Sequence, residues 1–256
     1  SPAYHSCFST PAGLLEFIAR MRELSGGKPA GFKLCIGHPW EFMAICKAMV
    51  ETGITPDFIV VDGKEGGTGA APLEFMDHIG MPLRDGLTFV HNALVGVGLR
   101  DRVRIGASGK ITSAFDMAKV MALGADWCNA ARGFMFAVGC IQAQSCHTGE
   151  CPTGVATQDP ARSRAIHVPS KAERVANFQR NTLHALAELV AAAGLLHHSE
   201  LRPHHFLRRT DADRVQSFAQ IYEHLAPGQL LADPRSSPGF AEAWALSRAD
   251  SFARVA

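Results

Sequence analysis

Hydrophobic positions along the chain alternate between short continuous runs and helically spaced patterns. Apolar runs typical of buried strands cover residues 31–36, 57–62, 102–106 and, with little β-branching, 126–130. Helical spacing follows at residues 41–50, 86–97 and 113–123, and Thr10 followed by Pro11 predicts a helix that extends to about Leu24. Strands and helices in this alternating series predict an α/β fold with a parallel sheet and right-handed crossovers.

The C-terminal region shows a different pattern. A long amphipathic helix is predicted from Lys171 to Ala193, and Gly194 ends it. The remainder has prolines between helical pieces and loops, of which Asp211 to Leu225 is the best helix candidate. We therefore divide the chain into an α/β part, residues 1–170, and a C-terminal helical extension, residues 171–256.

Composition and charge exclude several classes of protein. The 256 residues are 47% hydrophobic and carry a formal net charge of +1, which does not indicate nucleic acid or an acidic membrane as a partner. No run of about eighteen apolar residues occurs, so no membrane-spanning segment is expected in this chain. The first residues lack an initiator Met and a signal-peptide pattern, and a helix precedes the first strand. We expect a segment of a longer protein.

Seven cysteines are an odd number for a disulfide framework. Cys35, Cys46 and Cys128 lie in apolar runs and are expected to be small buried hydrophobes. Free thiols together with one tight cluster favour a reducing compartment, the cytoplasm, and a metal site.

The cluster is Cys140-x5-Cys146-x4-Cys151, in a loop rich in Gly, Thr and Ser. Soft thiolates select iron–sulfur clusters or zinc. Three thiolates suit a three-iron cluster, whereas zinc needs a fourth ligand, for which His147 is available but awkwardly adjacent to Cys146. The remaining alternative is three unrelated thiols.

Ligands of parallel α/β folds bind where the strands end and the loops enter the helices. Lys33 lies in the first apolar run, where a buried ammonium needs an anionic or carbonyl partner such as a ligand carboxylate, a phosphate or a flavin. The alternative is a lysine that extends to solvent at the strand edge.

Three further loops are rich in small residues. Residues 63–71 carry glycines dense enough to form an anion-binding nest, without the spacing of a P-loop or a dinucleotide fingerprint. Residues 106–110 precede a helix and residues 130–133 follow the last strand, the two positions that share a phosphate in many barrels. Lys110 and Arg132 supply positive charge there, and ordinary solvated surface is the alternative for either residue alone.

These loops resemble the flavin domain of glutamate synthases, and still more the shorter proteins of the FMN-binding glutamate synthase family. The resemblance rests on Gly63 to Ala70 and on Gly139-Cys140 through Cys146 to Gln158, and it extends over roughly the first 190 residues. It implies a (β/α)8 TIM-type barrel that holds FMN, with a [3Fe–4S] cluster beside it. The four strands then correspond to strands five to eight, the C-terminal half of the barrel.

The resemblance also assigns residues by position. Cys140, Cys146 and Cys151 fall on the cluster ligands, Lys33 on a catalytic and flavin-contacting lysine, and Glu65 on the substrate-side loop as a catalytic candidate. The implied substrate-binding residues are Gly66, Gly67, Thr68 and Gly69. The implied cofactor-binding residues are Lys33, Gly106, Ser108, Gly109, Lys110, Ala130, Ala131, Arg132 and Gly133. The sequence departs from the family at two positions. Glu65 stands where the family has Asp, and Ala107-Ser108-Gly109 stands where the family has Asp-Gly-Gly.

The activity implied by the resemblance is reductive amination. 2-Oxoglutarate condenses with ammonia, free or derived from glutamine, to 2-iminoglutarate, which FMN reduces to glutamate. Electrons reach FMN through the cluster from ferredoxin or from an NAD(P)H-oxidising subunit. The N-terminal half of the barrel and the glutaminase lie outside this chain, so we expect the segment to bind FMN weakly alone, with the strands around Ile59 and Val103 partly open to water.

Two other classes remain open. One is another phosphate-binding barrel oxidoreductase, such as the IMP dehydrogenase and GMP reductase group, whose single catalytic thiol does not explain three clustered cysteines. The other is a non-catalytic iron–sulfur or zinc module, which does not explain four unusual strand ends.

Overall fold

The computed structural model describes residues 5–67, 71 and 74–255. The α/β part contains α1 (Pro11–Leu24), β1 (Gly31–Leu34), α2 (Pro39–Thr52), β2 (Phe58–Asp62), α3 (Leu83–Gly96), β3 (Arg104–Ser108), α4 (Ala114–Ala122), β4 (Trp127–Asn129) and α5 (Ala131–Val138). Most elements coincide with the predicted runs to within a few residues. The exception is α5, which was not predicted, so Ala131 to Gly133 form the first turn of a helix rather than a loop.

Helix α1 shows how local sequence sets an element. Thr10 accepts a hydrogen bond from the amide of Gly13 at 3.0 Å, and Pro11 occupies the first helical turn. The buried positions Leu14, Leu15 and Ile18 recur at helical spacing, as predicted. They pack α1 against α2.

Within the described residues, β1 to β4 form one parallel sheet in chain order. Right-handed crossovers between sequential parallel neighbours place α2, α3 and α4 on the same face of the sheet. This is an α/β fold with a four-stranded parallel sheet, consistent with part of a (β/α)8 barrel.

The helix-covered face of the sheet holds the core. Ile59, Val61, Ile105 and Ala107 alternate along β2 and β3 and are all fully buried. The expectation that the inward faces of the strands are partly open to water is attached to the wrong residues, because Ile59 and Val103 are both fully buried. Side-chain alternation directs Ile59 towards the helices rather than towards the barrel interior.

The opposite face carries a row of residues that are neighbours in register: Lys33, Val60, Gly106 and Trp127. A Cβ atom added at Gly106 would lie 2.5 Å from Cε2 of Trp127, so the indole covers that glycine. Phe58 meets the same indole edge-on, with ring centroids 6.0 Å apart. These two aromatic rings partly fill the interior face of the sheet.

After the α/β part come α6 (Pro160–Ser163) and α7 (Val168–Ala192), which packs against α4 and α5. Gly194 follows α7 with a φ of 74°, as expected for a glycine that ends a helix. The predicted division at residue 170 falls inside α7, and it stays a prediction. No helix in the described part of the chain is both long and apolar enough to cross a bilayer.

The predicted helix from Asp211 to Leu225 is wrong. The structure has an antiparallel hairpin of β5 (Leu207–Arg209) and β6 (Val215–Ser217), followed by the single turn α8 (Phe218–Ile221). The amides of Thr210 and Asp211 both donate to the carbonyl of Arg214, which closes a tight turn in place of a helix. Two short helices complete the chain, α9 (Gln229–Ala232) and α10 (Pro238–Ala245).

The extension is tied to α3. Asn92 on α3 is buried, and its Oδ1 accepts a hydrogen bond from the amide of Leu225 at 2.9 Å. Leu230 is fully buried, and a Cβ atom at Gly96 would come within 2.6 Å of it. The backbone of α3 therefore approaches the extension closely because residue 96 lacks a side chain.

Candidate functional site

The carboxyl ends of the strands carry a second register row, which is polar. Asp62 on β2, Ser108 on β3 and Asn129 on β4 are neighbours in register. Asp62 and Asn129 were not singled out from sequence. Each ends an otherwise apolar strand at the edge where ligands of such folds bind, and that position was the available signal.

Lys33 meets one of these residues. Its ammonium lies 2.6 Å from Oδ2 of Asp62, and its side chain is 57% exposed. The expectation of a buried lysine is therefore wrong, although the expected anionic partner exists and belongs to the protein itself. The interior face of the sheet is covered only in part by described residues, which leaves the Lys33 stem accessible to solvent.

Asp62 is held in an unusual position. Its Oδ1 is buried and has no hydrogen-bond partner among the described residues. Gly66 lies against it, because a Cβ atom at Gly66 would be 2.6 Å from that oxygen. A buried carboxylate oxygen without a donor is costly, and the described residues supply none for this atom.

Glu65 occupies a structural position. One of its carboxylate oxygens accepts a hydrogen bond at 2.8 Å from the amide of Leu83, the first residue of α3. A carboxylate at a helix N-terminus satisfies a free amide and interacts favourably with the helix dipole. Its catalytic role stays a prediction.

Cys35 follows β1 and is exposed, which contradicts the expectation that it is buried. Its thiol donates weakly to the carbonyl of Met81. Partial desolvation and the nearby carboxylates of Asp62 and Glu65 raise the pKa of this thiol, which keeps it protonated. Cys46 is buried as expected, and Cys128 is half-buried.

The loop after β3 has a left-handed backbone at two residues, Gly109 with φ of 141° and Lys110 with φ of 48°. Lys110 forms an ion pair with Asp77 at 2.8 Å, so it links this loop to the segment after β2. Gly106 and Ser108 lie inside β3 rather than in the loop. For Gly106, the structure shows a packing contact with Trp127 in place of the predicted loop position.

The N-terminus of α4 is capped by its own residues. Asp116 accepts from the amides of Thr112 and Ser113, and Ser113 accepts from the amide of Asp116. Burial alone raises the pKa of Asp116, but hydrogen bonds from Lys119 and Ser113 outweigh it and lower the pKa to about 2. A phosphate bound at this helix end would be repelled by the Asp116 carboxylate, which stays ionised at neutral pH.

The N-terminus of α5 is different. Ala130 precedes it without a side-chain cap, so the first amides of α5 are not satisfied by a side chain. A Cβ atom at Gly133 would lie 3.6 Å from the carbonyl of Thr112, which places this turn beside the loop after β3. Arg132 donates to the carbonyl of Gly67 at 2.9 Å and joins the loops after β4 and β2.

The three cysteines of the motif border one small cavity beneath α5. Cys151 is buried, and Cys140 and Cys146 are half-buried. A hydrogen bond from the Thr153 hydroxyl and others from the amides of Ala156, Thr153 and Val155 lower the pKa of Cys151 to about 7. A thiolate stabilised in this way is the form that binds iron or zinc.

The sulfurs do not converge on one point. No group of three or more His, Cys, Asp or Glu side chains in residues 5–67, 71 and 74–255 is placed to hold a single metal ion. Three soft thiolates on one short loop also lead us to expect converging sulfurs, and no such group is present among the described residues. In a three-iron cluster each iron takes one thiolate, so the sulfurs surround the cluster rather than meet at one ion, and the donor set still fits.

A second cavity is bordered by residues from three of the predicted site segments. It is bordered by Gly67 from the substrate loop, Ala131 and Arg132 from the start of α5, and Cys140 and Cys146 from the cysteine motif. Thr68 and Gly69, two of the predicted substrate residues, lie outside the described residues.

Comparison with known proteins gives a consistent result. The family model described as the conserved region in glutamate synthase matches residues 1–196. Glutamate synthase large subunit-like protein YerD of Bacillus subtilis is 46% identical over 188 residues, 73% of this chain and 36% of that protein. Archaeal-type glutamate synthase (NADPH) of Thermotoga neapolitana is 34% identical over 196 residues, 76% of this chain and 38% of that protein. The chain thus spans little more than a third of either relative.

Solved structures show a looser likeness. A mutant flavocytochrome b2 with benzoylformate superposes with a TM-score of 0.44 at 14% identity, over 85% of this chain and 43% of that one. A likeness at this level supports no statement about a cofactor or a substrate.

Proposed function

Because the chain belongs to the glutamate synthase family, we propose that the protein it forms part of is a glutamate synthase-type oxidoreductase. It converts 2-oxoglutarate and ammonia, free or derived from glutamine, through 2-iminoglutarate to glutamate. The electron donor is ferredoxin or an NAD(P)H-oxidising subunit. The remaining strands and contacts of the barrel come from the N-terminal half, outside this chain. Free thiols at all seven cysteines fit a reducing compartment such as the cytoplasm.

One observation carries the proposal. The cavity beside α5 brings together the substrate loop at Gly67, the uncapped helix start at Ala131 and Arg132, and two cysteines of the motif. A phosphate-binding barrel enzyme with one catalytic thiol does not require this combination, nor does a structural metal module. A redox enzyme in which a cluster lies beside a phosphate-bearing cofactor does.

FMN, when bound, supplies hydride to the imine carbon. The chain offers its phosphate the free amides of Ala131, Arg132 and Gly133, with the left-handed Gly109 on the adjacent loop. Lys110, which is ion-paired with Asp77, contributes positive charge near the phosphate from the loop after β3. The Asp116 carboxylate at the N-terminus of α4 makes the uncapped start of α5 the better phosphate site.

Cys140, Cys146 and Cys151 hold a [3Fe–4S] cluster, which supplies one-electron transfer. The amides around Cys151 stabilise negative charge on its sulfur and so favour ligation. These residues keep the cluster next to the start of α5.

Lys33 acts as a clamp and proton donor. Its ammonium, oriented by Asp62, binds a substrate carboxylate or donates a proton to the imine nitrogen of 2-iminoglutarate. Glu65 fixes the start of α3 behind the substrate loop.

The test uses the full-length protein with its flavin reduced under anaerobic conditions. Addition of 2-oxoglutarate with ammonium should reoxidise the flavin and yield glutamate, and either compound alone should not. Lys33→Met should slow reoxidation about 100-fold at unchanged flavin content. Lys28→Met, at an exposed position, is the matched control. Reoxidation that does not depend on 2-oxoglutarate would refute the proposed reaction.

A further inference from the structure

A cavity of about 770 Å³ lies at the opposite end of the sheet from the candidate site. It opens between α3, the C-terminal end of α4 and the segment 197–203 of the extension. Arg104 begins β3 and Asp126 precedes β4, so the cavity faces the amino ends of the strands. Its volume suits a metabolite-sized ligand.

Two guanidinium groups on its wall have unused donors. Arg104 forms one ion pair with Asp126 at 3.3 Å, yet its side chain remains 69% exposed. Within the described part of the chain, Arg202 donates only through Nη1, to the carbonyls of Ser199 and Leu201. The other guanidinium nitrogens of both residues have no partner among the described residues.

Two imidazoles add donors of defined orientation. Nδ1 of His91 accepts from Nε of Arg100 at 3.0 Å, and Nδ1 of His197 accepts from the amide of Ser199 at 3.2 Å. A neutral imidazole that accepts at Nδ1 carries its proton on Nε2. Burial and the neighbouring Arg100 lower the pKa of His91 to about 4, so its ring is neutral near pH 7. Each ring therefore presents an N–H group.

The main acidic group on the wall is already saturated. Asp126 accepts from Arg100 at 2.9 Å, from the amide of Ile105 at 2.7 Å and from Arg104. Asp101 is the other carboxylate on the wall. The wall also carries three arginines: Arg100, Arg104 and Arg202. The described wall thus carries three arginines and two carboxylates, of which Asp126 is already hydrogen-bonded.

We propose that this cavity binds a small, multiply charged anion, either a phosphate ester or a polycarboxylate. The guanidinium groups of Arg104 and Arg202 supply charge-assisted hydrogen bonds, and the imidazoles of His91 and His197 complete the donor set. A cation is disfavoured by the same arginines, and the site is remote from the loops that carry the proposed chemistry. It therefore suits an effector rather than a substrate.

Calorimetric titration of the full-length protein with inorganic pyrophosphate and, separately, with citrate tests the proposal. At least one anion should bind saturably, and the preferred one identifies the ligand as a phosphate or a carboxylate. Arg104→Gln and Arg202→Gln should each weaken binding about tenfold or more, because each removes charged donors. Arg102→Gln, an exposed arginine two residues from Arg104, should leave binding unchanged.

A further variant separates this cavity from the proposed flavin-phosphate loops. In the FMN-loaded protein, in which the flavin phosphate occupies those loops, Lys110→Gln should not affect binding of either anion. The proposal is overturned if neither anion binds, if Arg104→Gln binds as tightly as Arg102→Gln, or if binding is lost in Lys110→Gln instead. None of these outcomes bears on the reaction assigned to the other end of the sheet.

Discussion

The ammonium of Lys33 lies 2.6 Å from the carboxylate of Asp62, across two neighbouring parallel strands. Lys33 is the register neighbour of Val60. Its long side chain therefore extends along β2 past Val60 to meet Asp62, two residues further on the same face of the sheet. The pair stands at the carboxyl end of the sheet, beside the polar row that continues with Ser108 and Asn129. Lys33 is therefore oriented by a residue that is distant in sequence.

This relationship predicts that Asp62 positions Lys33. Asp62→Asn keeps the size of the side chain and removes its charge, and it should lower glutamate-forming turnover about 10- to 100-fold. Combined with Lys33→Met, it should cause no further loss, because both substitutions disrupt one unit. Asp213→Asn, at an exposed turn, is the control. Additive losses in the double variant would show that the two residues act independently.

Much of the α/β part could be predicted because its signals are local. Thr10 and Pro11 mark the start of α1, and the apolar run ending at Asp62 marks β2. The partner of Lys33 could not be predicted from the run itself, because it depends on the register between β1 and β2. The same holds for Ile59, whose burial depends on which face of the sheet the helices cover.

The two elements that the sequence pattern mispredicted or missed also have physical explanations. Residues 211–225 have helix-compatible spacing, but the carbonyl of Arg214 closes a turn with Thr210 and Asp211 that pairs β5 with β6. Helix α5 was missed because its start, Ala130, lacks a capping side chain. That missing cap is also what leaves its amides available for a phosphate.

Gly106 predicts a stability effect. A methyl group there would lie 2.5 Å from the indole of Trp127, so Gly106→Ala should destabilise the protein by about 1–3 kcal/mol. At Gly37 the nearest heavy atom to an added Cβ is 4.0 Å away, so Gly37→Ala is the matched control. Urea unfolding followed by tryptophan fluorescence measures both variants. Equal midpoints for the two would contradict the packing seen at Gly106.

His91 predicts a pH dependence. Burial, followed by the charge of Arg100, lowers its pKa to about 4, whereas an unfolded histidine titrates near 6.5. The unfolded chain therefore takes up the proton first, and the free energy of unfolding falls as pH drops from about 6.5 to about 4. The contribution is at most about 3 kcal/mol, from the size of the shift. His91→Gln should flatten this part of the stability curve, and His184→Gln, at an exposed position, should not.

The cysteine motif predicts a cluster with a defined composition. Cys140, Cys146 and Cys151 border one cavity, and the hydrogen bonds around Cys151 stabilise its thiolate. Full-length protein purified anaerobically should contain iron and acid-labile sulfide, and Ser at any of the three positions should remove most of both, since each iron has one protein sulfur. Cys7→Ser, an exposed cysteine outside the motif, should retain both. Stoichiometric zinc without sulfide would instead assign a structural metal site, and unchanged iron content in Cys151→Ser would exclude that residue as a ligand.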